Sequence, residues 1–138
     1  MIKCVLVPTD FSDRAGRAAA WARETFPDAE VRLLHVVDPL TLHAPSAVAP
    51  GGGYALSGDG LDLQRDFEVE VRERLRRLGG GELVVGQPVD EILRYVQAGP
   101  FDLLVIGATG HGDPEGSGLG GTAERLTRES PVPVVVVH

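Results

Sequence analysis

The chain is poor in cysteine and in positive charge. Of its 138 residues one is a cysteine, Cys4, so no intramolecular disulfide can form. Its place inside an apolar run reads as a small buried hydrophobe, with a catalytic thiol the minor alternative. Lysine and arginine number 13 against 20 aspartates and glutamates, a formal net charge of −7. That balance removes any general electrostatic attraction to nucleic acid or to an anionic membrane surface, and an anionic ligand would need local help. No apolar run approaches the ~18 residues that argue a membrane span. Met1 leads into a short strand pattern, without the basic segment and apolar stretch of an export signal. A soluble, cytoplasmic protein is expected, with neither nucleic acid nor membrane as partner. No linker or internal repeat divides residues 1–138, which fit a single domain with a sizeable core. A GxxxxGK[ST] phosphate loop is also missing.

What is present is an alternation. IKCVLV (2–7) is a short apolar run ending at Pro8-Thr9-Asp10, as a buried parallel strand followed by a turn would. Ser12 can cap a helix whose stripe of Ala15, Ala18, Ala19, Ala22 and Phe26 keeps helical spacing until Pro27. Trp21 lies beside that stripe and reads as packing. VRLLHVV (31–37) is a second strand, in which His35 reads as a satisfied core histidine because no second metal ligand stands at a suitable spacing. Residues 38–60 are rich in Pro, Gly, Ala and Ser, and a connection this long is either a lid or a disordered insertion.

Residues 61–78 read as a charged helix with Phe67, Val71, Leu75 and Leu78 on one face. Glu68 with Arg72, Glu70 with Arg74 and Glu73 with Arg77 stand four apart on a solvated side. Gly79 to Gly81 end it, and ELVVG is a third strand. Pro88 opens a helix carrying Val89, Ile92, Leu93 and Val96, which Gly99-Pro100 stops. FDLLVIG (101–107) is a fourth strand, a last helix spans roughly 121–129, and VPVVVVH is a fifth strand. Strand and helix alternating from end to end argue an α/β fold, an open twisted parallel sheet with helices on both faces. Ligands in such sheets bind beyond the carboxyl ends of the strands, where strand order reverses.

Seven of the eighteen glycines fall in GATGHGDPEGSGLGGTAERL, residues 107–126. GSGLGG (116–121) matches GxGxxG in form but does not follow a strand directly, and too little chain remains for a dinucleotide-binding unit. What remains is Gly107-x-x-Gly110, nine residues, then Gly120, set between a strand end and a helix start. Unhindered amides and the positive end of a helix make an anion site without any net positive charge.

GATG, nine residues, then GGTAERL and SPVPVVVV resemble the carboxy-terminal signature of the universal stress protein family, whose nucleotide-binding members carry G-x2-G-x9-G-(S/T). VLVPTDFSDRAGRAAAWA, LLHVVD and VVGQPVDEIL resemble its earlier strands and helices, so the likeness covers nearly the whole chain outside residues 39–60. It implies a Rossmann-like five-stranded sheet of order 3-2-1-4-5 and a homodimer, here through the C-terminal strand. It also implies ATP held between the first and fourth strands, with or without Mg2+, and with AMP or ADP as alternatives. Carried over by position, Pro8, Thr9 and Asp10 would line the adenosine pocket, Asp10 accepting from ribose hydroxyls. Val36 would offer its backbone to adenine, and Gly107, Gly110, His111, Gly120, Gly121 and Thr122 would surround the phosphates. Two departures stand out. The hydroxyl residue expected directly after the third glycine is Gly121, with Thr122 one place later, and the basic residue often found after the second is His111, near Asp113 and Glu115.

The resemblance implies a nucleotide-binding regulator of the stress response. Its alternatives are a relative that works through unidentified protein partners alone and a slow ATP hydrolase or phosphoryl transferase. Phosphoryl transfer relies on metal-assisted charge neutralisation and a positioned base. Asp10 or Asp38 would serve the first and His111 the second, but no dedicated constellation emerges and no catalytic residue is assigned.

Overall fold

Val5, Leu6 and Val7 are apolar at successive positions, and a strand of that kind is stable only when both its faces are covered. In the computed structural model they form β1 (Cys4–Pro8), and all three are fully buried. The structure describes residues 1–39, 60–108 and 121–138, with backbone alone for 60–64. β1 pairs in parallel with β2 (Glu30–Val37) on one side and β4 (Leu103–Gly107) on the other. β3 (Gly81–Val85) extends the sheet beyond β2, and β5 (Val134–Val137) extends it beyond β4. The order is β3-β2-β1-β4-β5, the one the resemblance implied.

Alternation along the central strands divides the core into two layers. Val5, Val7, Leu103 and Val105 meet α1 (Asp13–Thr25) and α2 (Gly60–Arg77) on one face. Cys4, Leu6, Leu104 and Ile106 meet α3 (Pro88–Ala98) and α4 (Gly121–Glu129) on the other. The alanine stripe of α1 lets that helix lie close on the sheet, with Ala15, Ala18, Ala19 and Ala22 all buried. Trp21 packs edge-on against Phe26, with ring centroids 5.9 Å apart. Ser12 caps α1 by accepting from the Ala15 amide at 3.2 Å. Pro88 stands in the first turn of α3.

α2 ends one residue earlier than its apolar pattern indicates. The Gly80 amide donates to Leu75 O at 2.9 Å and the Gly79 amide to Arg76 O at 3.1 Å, a paired closure that turns the chain out of the helix. Gly79 and Gly80 have φ of +106° and +100°, which explains two of the three glycines. Val71 and Leu75 are buried as expected, but Leu78 is 42% exposed. Of the expected ion pairs, Glu73 meets Arg77 at 3.5 Å and Arg76 more closely at 2.6 Å. Arg74 instead lies over the ring of Phe11. Cys4 is buried, burial pushes its thiol pKa up, and its Sγ lies 3.6 Å from Glu30 Oε2, all consistent with an inert core residue.

Asp102 ties the entry of β4 to that of β1. Its Oδ2 accepts from the amides of Lys3 at 2.8 Å and Cys4 at 3.0 Å, while its own amide donates to Cys4 O. Those two backbone donors hold its carboxyl below the ordinary aspartate range. A carboxylate with a depressed folded-state pKa stabilises the fold at neutral pH, and that contribution is lost as pH falls through the folded value. Asp102→Ala should therefore melt at a lower temperature than the parent at pH 7, with the gap narrowing in acid below the ordinary aspartate range. A gap of constant size in melts recorded across that range would show that the carboxylate charge is not involved.

Candidate functional site

The carboxyl ends of β1, β2 and β4 come together on one edge of the sheet, and between β1 and β4 the direction in which strands are added reverses. Side chains fill both faces of the sheet, and open parallel sheets take their ligands at this edge. Pro8, the last residue of β1, stands opposite Leu34 in the register with β2. Thr9 is the buried polar residue at that edge, 8% exposed. Its amide donates to Leu34 O at 2.8 Å, its carbonyl accepts from His35 Nδ1 at 2.8 Å, and its Oγ1 accepts from the Phe11 amide at 3.0 Å. A carbonyl only accepts, so His35 carries its proton on Nδ1 here. His35 is the satisfied histidine expected from its strand.

Asp10 is half-buried and turns the chain into α1, its Oδ1 accepting from the Ser12 amide at 2.9 Å. One carboxylate oxygen is thus committed to the turn. The next residue gives no sign in the sequence of its unusual backbone. Phe11 has φ +65°, a left-handed conformation rarely adopted by a bulky residue and costing about 1–3 kcal/mol. Its ring is held between His35, with centroids 4.6 Å apart, and the Arg74 guanidinium 4.2 Å from the ring centre. Strand, helix and ring stack therefore fix the segment from Thr9 to Ser12 from three sides.

Gly107, the last residue of β4, pairs with Val137 of β5. A Cβ there would stand 3.1–3.2 Å from the backbone carbon, the carbonyl oxygen and the Cβ of Arg14. The missing side chain lets the first turn of α1 close over the end of β4, so this glycine has a packing reason of its own. Gly121 is different. It opens α4, its φ is not in the left-handed region, and no described residue stands within 4 Å of where a Cβ would be. Thr122 is exposed in the same first turn. Glu124, the acid of that turn, reaches Arg128 at 3.4 Å. Val36 lies near the end of β2, opposite Val84.

Of the expected site residues, Pro8, Thr9, Asp10, Val36 and Gly107 lie at the ends of three neighbouring strands, with Gly121 and Thr122 opening the helix that comes after β4. Gly110, His111 and Gly120 lie outside the described residues, as does nearly all of the 38–60 segment. Among the described residues no three His, Cys, Asp or Glu side chains form a cluster able to hold a metal ion. No helix among them is long and apolar enough to cross a membrane.

An open parallel sheet of order β3-β2-β1-β4-β5 with helices on both faces defines a doubly wound α/β domain. Comparison with known proteins narrows that class. The model of the universal stress protein family matches residues 1–138, and the chain belongs to that family. It is 30% identical to a universal stress protein of Thermus aquaticus over 143 residues, covering all of both chains. It is also 30% identical to one of Methanocaldococcus jannaschii, over 99% of this chain and 82% of that one. Among solved structures it is similar to a universal stress protein of Lactobacillus plantarum, with a TM-score of 0.74 at 26% identity over 99% and 98% of the two chains. It is similar too to a universal stress protein in complex with cAMP, with a TM-score of 0.59 at 26% identity over 99% and 97%.

The two described loop glycines should respond oppositely to a methyl group. Gly107→Ala presses on the α1 backbone and is expected to cost about 1–3 kcal/mol of stability, whereas Gly121→Ala meets open space and gains helix propensity. Denaturant titration of both variants checks this; equal costs would mean that α1 does not seal the end of β4.

Proposed function

We propose that the protein is a nucleotide-binding regulator of the stress response, a cytoplasmic homodimer that takes ATP into the crevice between the ends of β1 and β4. The observation that carries this reading is the reversal point of the sheet, where the ends of β1 and β4 stand side by side. Gly107 ends β4 there with α1 packed against it, and α4 opens at Gly121, which no described residue crowds. A relative of the same fold, solved in complex with cAMP, supports a nucleotide as the ligand class. In this reading Thr9 and Asp10 face the ribose, the Val36 backbone meets adenine, and the amides from Gly107 to Thr122 receive the phosphates. The positive end of α4 supplies the attraction that a chain of net charge −7 otherwise lacks. The residues described at the edge fit a nucleoside, since strand-end backbone and one carboxylate are what its hydroxyls and base edge require.

Ligand at about 100 times its Kd stabilises the native state by about 2.7 kcal/mol, which for a domain of this size raises Tm by about 5 to 12 °C. Millimolar ATP should produce that shift in a thermal melt, and an unmoved curve would favour action through protein contacts alone. Because no described residue crowds Gly121 and its φ is ordinary, Gly121→Ser can place a hydroxyl at the helix start without backbone strain. A hydrogen bond to a charged phosphate contributes about 1.5–3 kcal/mol at best, so ATP should bind up to about tenfold tighter with AMP nearly unchanged. Equal gains for both nucleotides would place the phosphates elsewhere.

The dimer rests on β5, an edge strand of four valines. The carbonyls of Pro133 and Val137 accept from Leu104 and Ala108 in β4, so by alternation Val134 and Val136 turn their backbone groups outward. Such an edge invites pairing with its own copy. Val135 packs on the α1 side of the core, so changing it would test packing more than assembly. Val136→Pro removes an outward donor and leaves the β4 ladder alone. Light scattering should then report a monomer from a dimeric parent, and an unchanged dimer mass would rule out this edge as the interface.

A further inference from the structure

On the α1/α2 face a surface groove of about 680 Å³ runs from Thr9, Phe11 and the first turn of α1 to the last turn of α2. Its α1 wall is Asp13, Gly16, Arg17 and Ala20, and Arg74 and Arg77 stand on the α2 wall. Three guanidinium groups against one carboxylate make this a basic strip on an acidic protein. The arginines of α2 have a local explanation, since cations in the last turn complement the helix dipole. Arg17 has none of that kind: it sits mid-helix, is exposed, and forms no salt bridge among the described residues. Gly16 is equally unaccounted for. Glycine is among the poorest helix formers, this one has ordinary φ, and no described residue stands within 4 Å of where its Cβ would be. Among the described residues no packing demand excludes a side chain there; the glycine keeps the groove open between the arginines.

We infer that this groove is a second ligand site, beside the nucleotide site and sharing Thr9 at its border, which takes a small phosphate-bearing molecule between Arg17 of α1 and Arg74 and Arg77 of α2. Guanidinium forks match phosphate oxygens in pairs, and facing walls let one anion engage both helices. The lined stretch of α1 from Asp13 to Ala20 is about 10 Å long at 1.5 Å per residue, the scale of a small molecule rather than of a bound helix. The volume also falls within the range of small-molecule sites, about 300–1,000 Å³. Arg74 already covers Phe11, so an occupant here would touch the residue that holds the Thr9–Ser12 turn.

The test is calorimetric titration of the full chain with pyrophosphate and, separately, glycerol phosphate, at about 0.15 M salt so that diffuse attraction is screened. Saturable binding of either at one site per chain is expected, and which of the two binds tighter distinguishes a polyphosphate from a phosphomonoester as the source. Arg17→Gln with Arg77→Gln should weaken it by about tenfold or more, while Arg128→Gln, on the opposite layer, leaves it unchanged. Gly16→Leu should abolish binding with the arginines intact and yet raise Tm, so that loss of the site is separated from loss of the fold. Repeating the titration with ATP saturating should still give one anion site per chain, whatever change in affinity the shared Thr9–Ser12 turn transmits. If ATP itself fails to bind, the arginine and Gly16 variants still read this site on their own. Absence of binding by both anions, insensitivity to the arginine substitutions, abolition by ATP, or replacement by binding of an oligoglutamate peptide would each overturn the inference.

Discussion

Enclosure of β1 on both faces is the constraint on which the remaining structure depends. Val5, Leu6 and Val7 have no exposed surface, so helices must cover the sheet above and below, and parallel pairing with β2 and β4 follows from the crossovers this requires. Once both faces are sealed, the sheet itself can meet a ligand only at its strand ends. The two layers meet the edge differently among the described residues: α1 is drawn tight over β4 at Gly107, whereas no described residue crowds Gly121, where α4 begins.

The turn from Thr9 to Ser12 connects that edge to the helical face. Thr9 is committed through amide, carbonyl and hydroxyl, Asp10 through one carboxylate oxygen, and Phe11 is held in a costly conformation by His35 and Arg74. Strain of this kind persists only where surroundings over-determine it. Here the surroundings are a strand residue and a helix residue, so the position of the Thr9–Ser12 turn is set by β2 and α2 together. A movement of Arg74 would be felt at Thr9 through two ring contacts and one hydrogen bond.

Much of the fold was legible because burial leaves a periodic trace. The alanines of α1, the Val89-Ile92-Val96 stripe of α3 and the unbroken apolar runs of β1 and β4 each state which surface is covered. Leu78 was misjudged because helical spacing says nothing about where a helix stops, and the closure by Gly79 and Gly80 cuts it off one residue before the stripe would end. For the site, the family resemblance marked the strand ends, but the reasons behind individual residues were not in the pattern. Gly107 reads in sequence as a phosphate-loop glycine, and its first role in the structure is steric, against Arg14. Phe11 leaves no trace at all, since a left-handed φ at an aromatic residue is enforced by distant partners rather than by local propensity. The tie from His35 to Thr9 likewise depends on register between two strands, which composition does not carry.

The central claim is that a nucleotide occupies the edge between β1 and β4. Mapping the backbone amide resonances of the uniformly labelled protein during titration with ATP tests it most directly. The account expects saturable shifts at Thr9, Val36, Gly107, Ala108, Gly121 and Thr122, with Lys3, Glu30 and Asp102 at the opposite edge of the sheet nearly still. Shifts confined to other surfaces, or a spectrum that ATP leaves unchanged at millimolar concentration, would contradict it.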